Sequence, residues 1–208
     1  MNVHRAKKKR LCILGANGYI GTRLMRCAAA QGWFVKALAA WSVSESPHNE
    51  PGISVFRGNA ANRRLLERMI EPGDRVINLI GATTAETSFE KLLESNVVAH
   101  RSVLEACGRR RAGKIIFASS IAIYGSVSRP AGEDDLPRPC DEHGLTKRFG
   151  EQMHEFYAAA YGIPIVILRL GSVYGPDQRK GIVYSFAQSL KRSGEIRIPE
   201  RPVWRDFV

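Results

Sequence analysis

The segment DEHGLTKRFGEQMHEF, residues 141–156, sets His143 and Lys147 four apart in what reads as the first turns of a helix. Side chains at that spacing share one helix face. An imidazole, with an ordinary pKa of about 6.5, can carry a proton near neutral pH without special tuning. A neighbouring ammonium disfavours the protonated ring, so Lys147 would hold His143 towards its neutral form.

A second constellation lies near the start, in LCILGANGYIG, where Gly15, Gly18 and Gly21 follow an apolar run. Glycine at the first position allows a tight turn, at the second a close backbone approach to a pyrophosphate, and at the third a helix packed close to its strand. The following helix would turn free N–H groups and its positive dipole end towards the phosphates. Such a triplet also occurs as a purely structural turn. Its place between a strand and a helix makes dinucleotide binding the better reading. The next strand ends VKALAAWS, with Ala39 where an acid reading the adenosine ribose would stand. NAD and NADP therefore both stay open, with a slight lean to NADP, because no carboxylate opposes a 2′-phosphate.

These residues need a scaffold, and the patterning supplies one. Apolar runs at 10–15, 33–39, 53–57, 75–80, 114–119 and 164–170 are rich in Val, Ile and Leu without strict alternation, as in strands covered on both faces. Helical patterns at 19–31, 61–70, 89–110, 144–161 and 180–193 separate them. The alternation predicts an α/β fold, a doubly wound parallel sheet. Segment 42–52 reads as a surface loop. Segment 125–142, with three prolines, reads as a long loop of the kind that is often functional.

The chain has 208 residues, 44% hydrophobic and 25% charged, with a net charge of +11. It carries no apolar run of the roughly 20 residues a membrane helix needs. A cytoplasmic location is the default, with an organellar one left open. The four cysteines lack metal-ligand spacing and are expected to be reduced and mostly buried. His4, His48, His100 and His154 show no ligand spacing either, and are expected at the surface or as satisfied internal groups. The basic clusters at 4–10, 63–64, 109–111, 147–148 and 191–192 lack a nucleic-acid motif and interleaved aromatics. Nucleic-acid binding is therefore not expected. Solvated charge, an anionic nucleotide or an acidic partner accounts for them.

Seven collinear stretches resemble the extended short-chain dehydrogenase/reductases, the nucleotide-sugar epimerase/dehydratase group. They are GANGYIG, FRGNAANRRLLERMI, RVINLIGAT, ESNVVAHRSVLEAC, FASSIAIYG, RLGSVYGP and WRDFV. The resemblance implies a Rossmann domain over 11–175 behind a basic tail (1–10), with 176–208 as the start of a substrate lobe. It implies cofactor contacts at Gly15, Asn17, Gly18, Tyr19, Ile20, Gly21, Asn59, Ala60, Leu79, Gly81 and Lys147. It further implies a catalytic set in which Ser120 orients the reacting oxygen and Lys147 holds the nicotinamide ribose. The substrate would be an anionic small molecule, a nucleotide-linked sugar. A homodimer or docking on a larger complex is the expected assembly.

The chain departs from that pattern at three places. His143 occupies the tyrosine position of YxxxK, and imidazole is shorter than phenol by roughly 2 Å. Three readings follow: His143 works as acid/base, the protein holds cofactor without chemistry, or another group such as Ser120 carries the proton. Ser172 replaces the asparagine of RxxNVYGP, a substrate-side position. Members also continue beyond RDFV, so either this sequence is a piece of a longer one or the protein lacks much of the sugar-nucleotide pocket.

Overall fold

The structure, a computed structural model, describes residues 9–40, 50–82, 88–198 and 206–208. Most of the basic tail, most of the loop at 42–52, His4, His48, and Trp204 and Arg205 of WRDFV lie outside the described residues. The chain divides into two compact units, Met1–Arg169 and Leu170–Val208.

The first unit runs β1 (Arg10–Leu14), α1 (Tyr19–Ala30), β2 (Phe34–Ala39), β3 (Ile53–Arg57), α2 (Arg63–Met69), β4 (Arg75–Asn78), α3 (Phe89–Leu93), α4 (Ala99–Arg109), β5 (Lys114–Ser120), α5 (Glu142–Tyr161) and β6 (Ile165–Leu170). The sheet order is β3-β2-β1-β4-β5-β6, with β1 paired in parallel to both β2 and β4. Along β1 the side chains alternate between two cores. Cys12 and Leu14 meet Leu66, Met69, Val103 and Leu104 of α2 and α4. Leu11 and Ile13 join Met25 and Ala28 of α1 on the other side. Burial on both faces explains why the central strands β1 and β2 read as nearly continuous apolar runs.

The expected single helix over 89–110 is interrupted. Residues Glu94–Val98 form a π-helical turn between α3 and α4. The cause is long-range. Asn96, fully buried in that turn, accepts from the Ala82 N–H at 2.8 Å and donates to the Ala82 carbonyl at 3.1 Å and to Thr146 Oγ1 at 3.0 Å. The bulge aims this one side chain across to β4 and α5.

The N-terminal ends of the strands are tied by a buried ion cluster. Asp74, with no exposed surface, accepts from Arg10 Nε at 2.6 Å and Lys36 Nζ at 2.9 Å. Burial would raise its pKa, but the Glu71 N–H, Lys36, Cys12 and Arg10 hold it below the ordinary value. All four cysteines are free. Cys12 and Cys107 are buried, whereas Cys27 and Cys140 are exposed, so the expectation of mostly buried thiols holds for two of the four.

In the second unit, Ser172 bridges in parallel to Phe207, and α6 (Ile182–Ser193) ends on a left-handed Gly194.

Candidate active site

The phosphate loop forms where β1 turns into α1. Gly15 has φ +81, a region that glycine enters without strain. A Cβ at Gly21 would run into the Gly15 carbonyl and the Ala16 backbone, so α1 can start this close to the strand only with glycine there. Gly18, the cap of α1, makes no side-chain hydrogen bond to the first turn, the end at which a helix receives an anion.

A groove of about 780 Å³ opens beside this loop at the C-terminal ends of β1, β2 and β4. Gly15, Asn17, Gly18, Asn59, Ala60, Leu79 and Gly81 all line it. Tyr19, Ile20 and Gly21 do not; they build the helix behind the loop. Asn62, the partner of Asn59 in the GNAAN stretch, caps α2 by accepting from the Leu65 N–H at 3.2 Å. Ala40, after the buried Ala39, lines the groove where a ribose-reading acid was absent from the sequence.

Lys147, His143 and Ser120 gather where the ends of β4 and β5 meet the start of α5. Asp141 caps α5 by accepting from the Gly144 N–H at 2.6 Å, which fixes the first turn. A Cβ at Gly144 would strike the Ala122 carbonyl, so α5 starts in direct contact with the turn that follows Ser120. Lys147 is 8% exposed and donates to the Ala118 carbonyl at 2.8 Å, its one hydrogen-bond acceptor among the described residues. A Cβ on the groove residue Gly81 would sit 3.0 Å from Lys147 Nζ, so the missing side chain leaves the ammonium next to the groove. Burial brings Lys147 down to about 8.

His143 is held below its ordinary pKa by burial and then by the Lys147 ammonium, against a weaker opposite pull from the Ala82 backbone and Asp141. The ring is therefore neutral at pH 7. Its Nδ1 is buried and has no hydrogen-bond partner. Its main-chain carbonyl accepts from Thr146 Oγ1 at 3.0 Å, which joins it through Thr146 to Asn96. Ser120 Oγ accepts from the Ala122 N–H at 3.2 Å, which leaves its own O–H to donate. The adjoining Ser119 donates to the buried Glu151 at 2.6 Å, and Arg169 grips both Glu151 oxygens at 3.1 Å.

Beneath this site lies a polar cluster that spacing alone did not indicate. Asn78 Nδ2 donates to His100 Nδ1 at 2.8 Å and to His154 Nε2 at 3.3 Å, while His154 Nδ1 donates to the Gly150 carbonyl at 2.7 Å. Both imidazoles are buried, and His154 stacks on Phe117 at 4.0 Å. His154 matches the expectation of a satisfied internal group; His100 does not, because its Nε2 has no partner. Ser172 belongs to the second unit, where its N–H donates to the Asp206 carbonyl at 2.7 Å.

The model of the NAD dependent epimerase/dehydratase family matches residues 11–208. The UDP-glucose 4-epimerase of Azospirillum brasilense is 28% identical over 183 residues, which is 85% of this chain and 53% of that protein. A uronate dehydrogenase of Pseudomonas putida is 30% identical over 173 residues, 81% of this chain and 63% of that protein. The chain thus spans less than two thirds of either relative. Among solved structures, UDP-glucuronic acid 4-epimerase from Bacillus cereus, in complex with UDP-glucuronic acid and NAD, superposes with a TM-score of 0.77 at 26% identity, covering 88% of this chain and 63% of that one.

Proposed function

The chain belongs to the NAD dependent epimerase/dehydratase family, and from that premise we propose that it binds NAD in the groove at the ends of β1, β2 and β4 and moves hydride at a hydroxyl-bearing carbon of a nucleotide-linked sugar. The observation that carries this reading is the approach of Lys147 to Gly81, a groove-lining residue at which a Cβ would sit 3.0 Å from Lys147 Nζ. The uncapped α1 N-terminus and the Gly15–Gly18 backbone would hold the pyrophosphate. Lys147 would hold the ribose hydroxyls through the donors that Ala118 leaves unused. NAD, when bound, supplies the hydride acceptor.

The chain's own groups then divide the remaining work. Ser120 donates its O–H to the substrate oxygen and fixes its position. His143, neutral, takes the hydroxyl proton as the carbon is oxidised, and returns it in the reverse step. Family membership and the NAD in the Bacillus cereus complex favour NAD as the dinucleotide. Ala39 and Ala40 set no charge against a 2′-phosphate, so discrimination against NADP is weak. The test is turnover with UDP-glucose and UDP-glucuronic acid in the presence of NAD, lost in Lys147→Met.

A second reading has its own support. None of Ser120, His143 and Lys147 lines the groove, and His143 Nδ1 is buried. A protein that holds NAD without turning over, as a subunit of a larger assembly, would need no more than this. Tight NAD binding with no turnover on any UDP-sugar would favour it.

A further inference from the structure

The strands' N-terminal ends, opposite the groove, carry a row of cations. Arg75 opens β4 and Lys114 opens β5, and the two are register partners. Arg111 lies against them, its carbonyl accepting from the Gly73 N–H at 2.9 Å. Lys9 completes the row beside β2, where its carbonyl accepts from the Phe34 N–H at 2.9 Å. All four side chains are exposed. The acids at this end are already engaged. Asp74 is fully buried between Arg10 and Lys36, and Glu71 pairs with the same two cations at 2.9 and 2.8 Å. Among the described residues, Lys9, Arg75, Arg111 and Lys114 have no carboxylate partner. Trp33 sits within the row, with Lys9 Nζ 5.6 Å and the Arg75 guanidinium 5.1 Å from its ring centre.

We propose that this end of the sheet is a docking surface for an anionic lipid bilayer, which the protein meets peripherally with its cofactor groove turned away. Charge complementarity selects an anionic surface. Three features choose a bilayer among such surfaces. Long, exposed cations with no carboxylate partners suit fluid headgroups, which follow them; a rigid protein partner would have to immobilise each one. The Trp33 ring already faces two cations, so it is not free to stack on a base, as single-stranded nucleic acid would require. Tryptophan flanked by Lys and Arg is also the grouping that lies at a headgroup boundary, apolar body inward and charge in water. No helix among the described residues is long and apolar enough to cross a membrane, so attachment through them is superficial.

The experiment is co-sedimentation of the full chain with vesicles of phosphatidylcholine alone, and with vesicles containing about one third phosphatidylserine, at low salt and at about 0.5 M salt, where screening reaches within a few ångströms. Binding to the serine-containing vesicles alone, lost at high salt, is expected. The double variants R75E/K114E and K9E/R111E should each weaken it by about tenfold or more, since each cation contributes separately near such a surface. Both should keep the wild-type NAD affinity. Two variant pairs at different sequence positions, each checked by thermal melting, keep the test valid if one pair misfolds. Equal binding to both vesicle types, unchanged binding in both folded variants, or binding to duplex DNA that exceeds vesicle binding and falls in the same variants would overturn the proposal.

Discussion

The Lys147 ammonium donates to the Ala118 carbonyl at 2.8 Å and would lie 3.0 Å from a Cβ at Gly81. One hydrogen bond thus seats the cation just ahead of Ser120 on β5, and one missing side chain leaves it beside Gly81, which lines the groove. Gly81→Val would fill that space against Lys147 Nζ and Asn96 Oδ1, which lies 3.2 Å from the same Cβ position. Calorimetry should record NAD binding weakened by about tenfold or more, a change of roughly 1.4 kcal/mol.

Lys147 also gives the fold an alkaline signature. Its folded pKa of about 8 lies below the ordinary 10.5, so between these values the unfolded chain holds the extra proton. Stability therefore rises with pH across that window, by roughly 3 kcal/mol for this group. Chemical denaturation at pH 7.5 and 10 should show the rise in the wild type, and Lys147→Met should flatten it.

Replacing His143 separates chemistry from binding. His143→Phe should leave the NAD affinity within about twofold and lower turnover by roughly 10²–10⁴-fold, the usual share of a positioned acid/base. Turnover that survives in His143→Phe places the proton on another group. His143 is neutral above its lowered pKa, so oxidation should be sustained at pH 7 and fall only below the ordinary histidine range.

The buried imidazole pair predicts an acid limit. Burial lowers His154 to about 4, and burial with the neighbouring His154 lowers His100 well below its ordinary value. The unfolded chain binds protons at these groups first, so stability falls as pH drops from about 6.5 towards 4. His154→Leu should lessen the slope of unfolding free energy against pH in that window, whatever it does to stability at pH 7.

At the far end of the sheet, Asp74→Ala would leave Lys36, 4% exposed, without its buried partner. Removing one member of such a pair costs about 3–5 kcal/mol, and a denaturant midpoint should move accordingly with NAD affinity unchanged.

These expectations draw on both levels of reading. The central strands were legible because burial on both faces writes itself as apolar runs, as in β1 from Leu11 to Leu14, and the half-buried edge strand β3 still matches its expected bounds, Ile53 to Arg57. The glycine loop was legible because each glycine answers a local backbone demand. Asn96 was not, since the π turn that aims it depends on Ala82 and Thr146, remote in sequence. The Asn78–His100–His154 cluster was hidden for the same reason: three elements supply one residue each, and periodicity registers none of them. Spacing put His143 beside Lys147, but only packing shows that its Nδ1 is buried without a partner.

The central claim is that NAD binds in the groove with Lys147 beside its ribose. Calorimetric titration of the full chain with NAD, in the wild type and in Lys147→Met, tests it most directly. One site per chain, weakened by about tenfold or more in the variant as a charge-assisted hydrogen bond is lost, is the expected result. No binding to the wild type, or equal affinity in the two proteins, would contradict it.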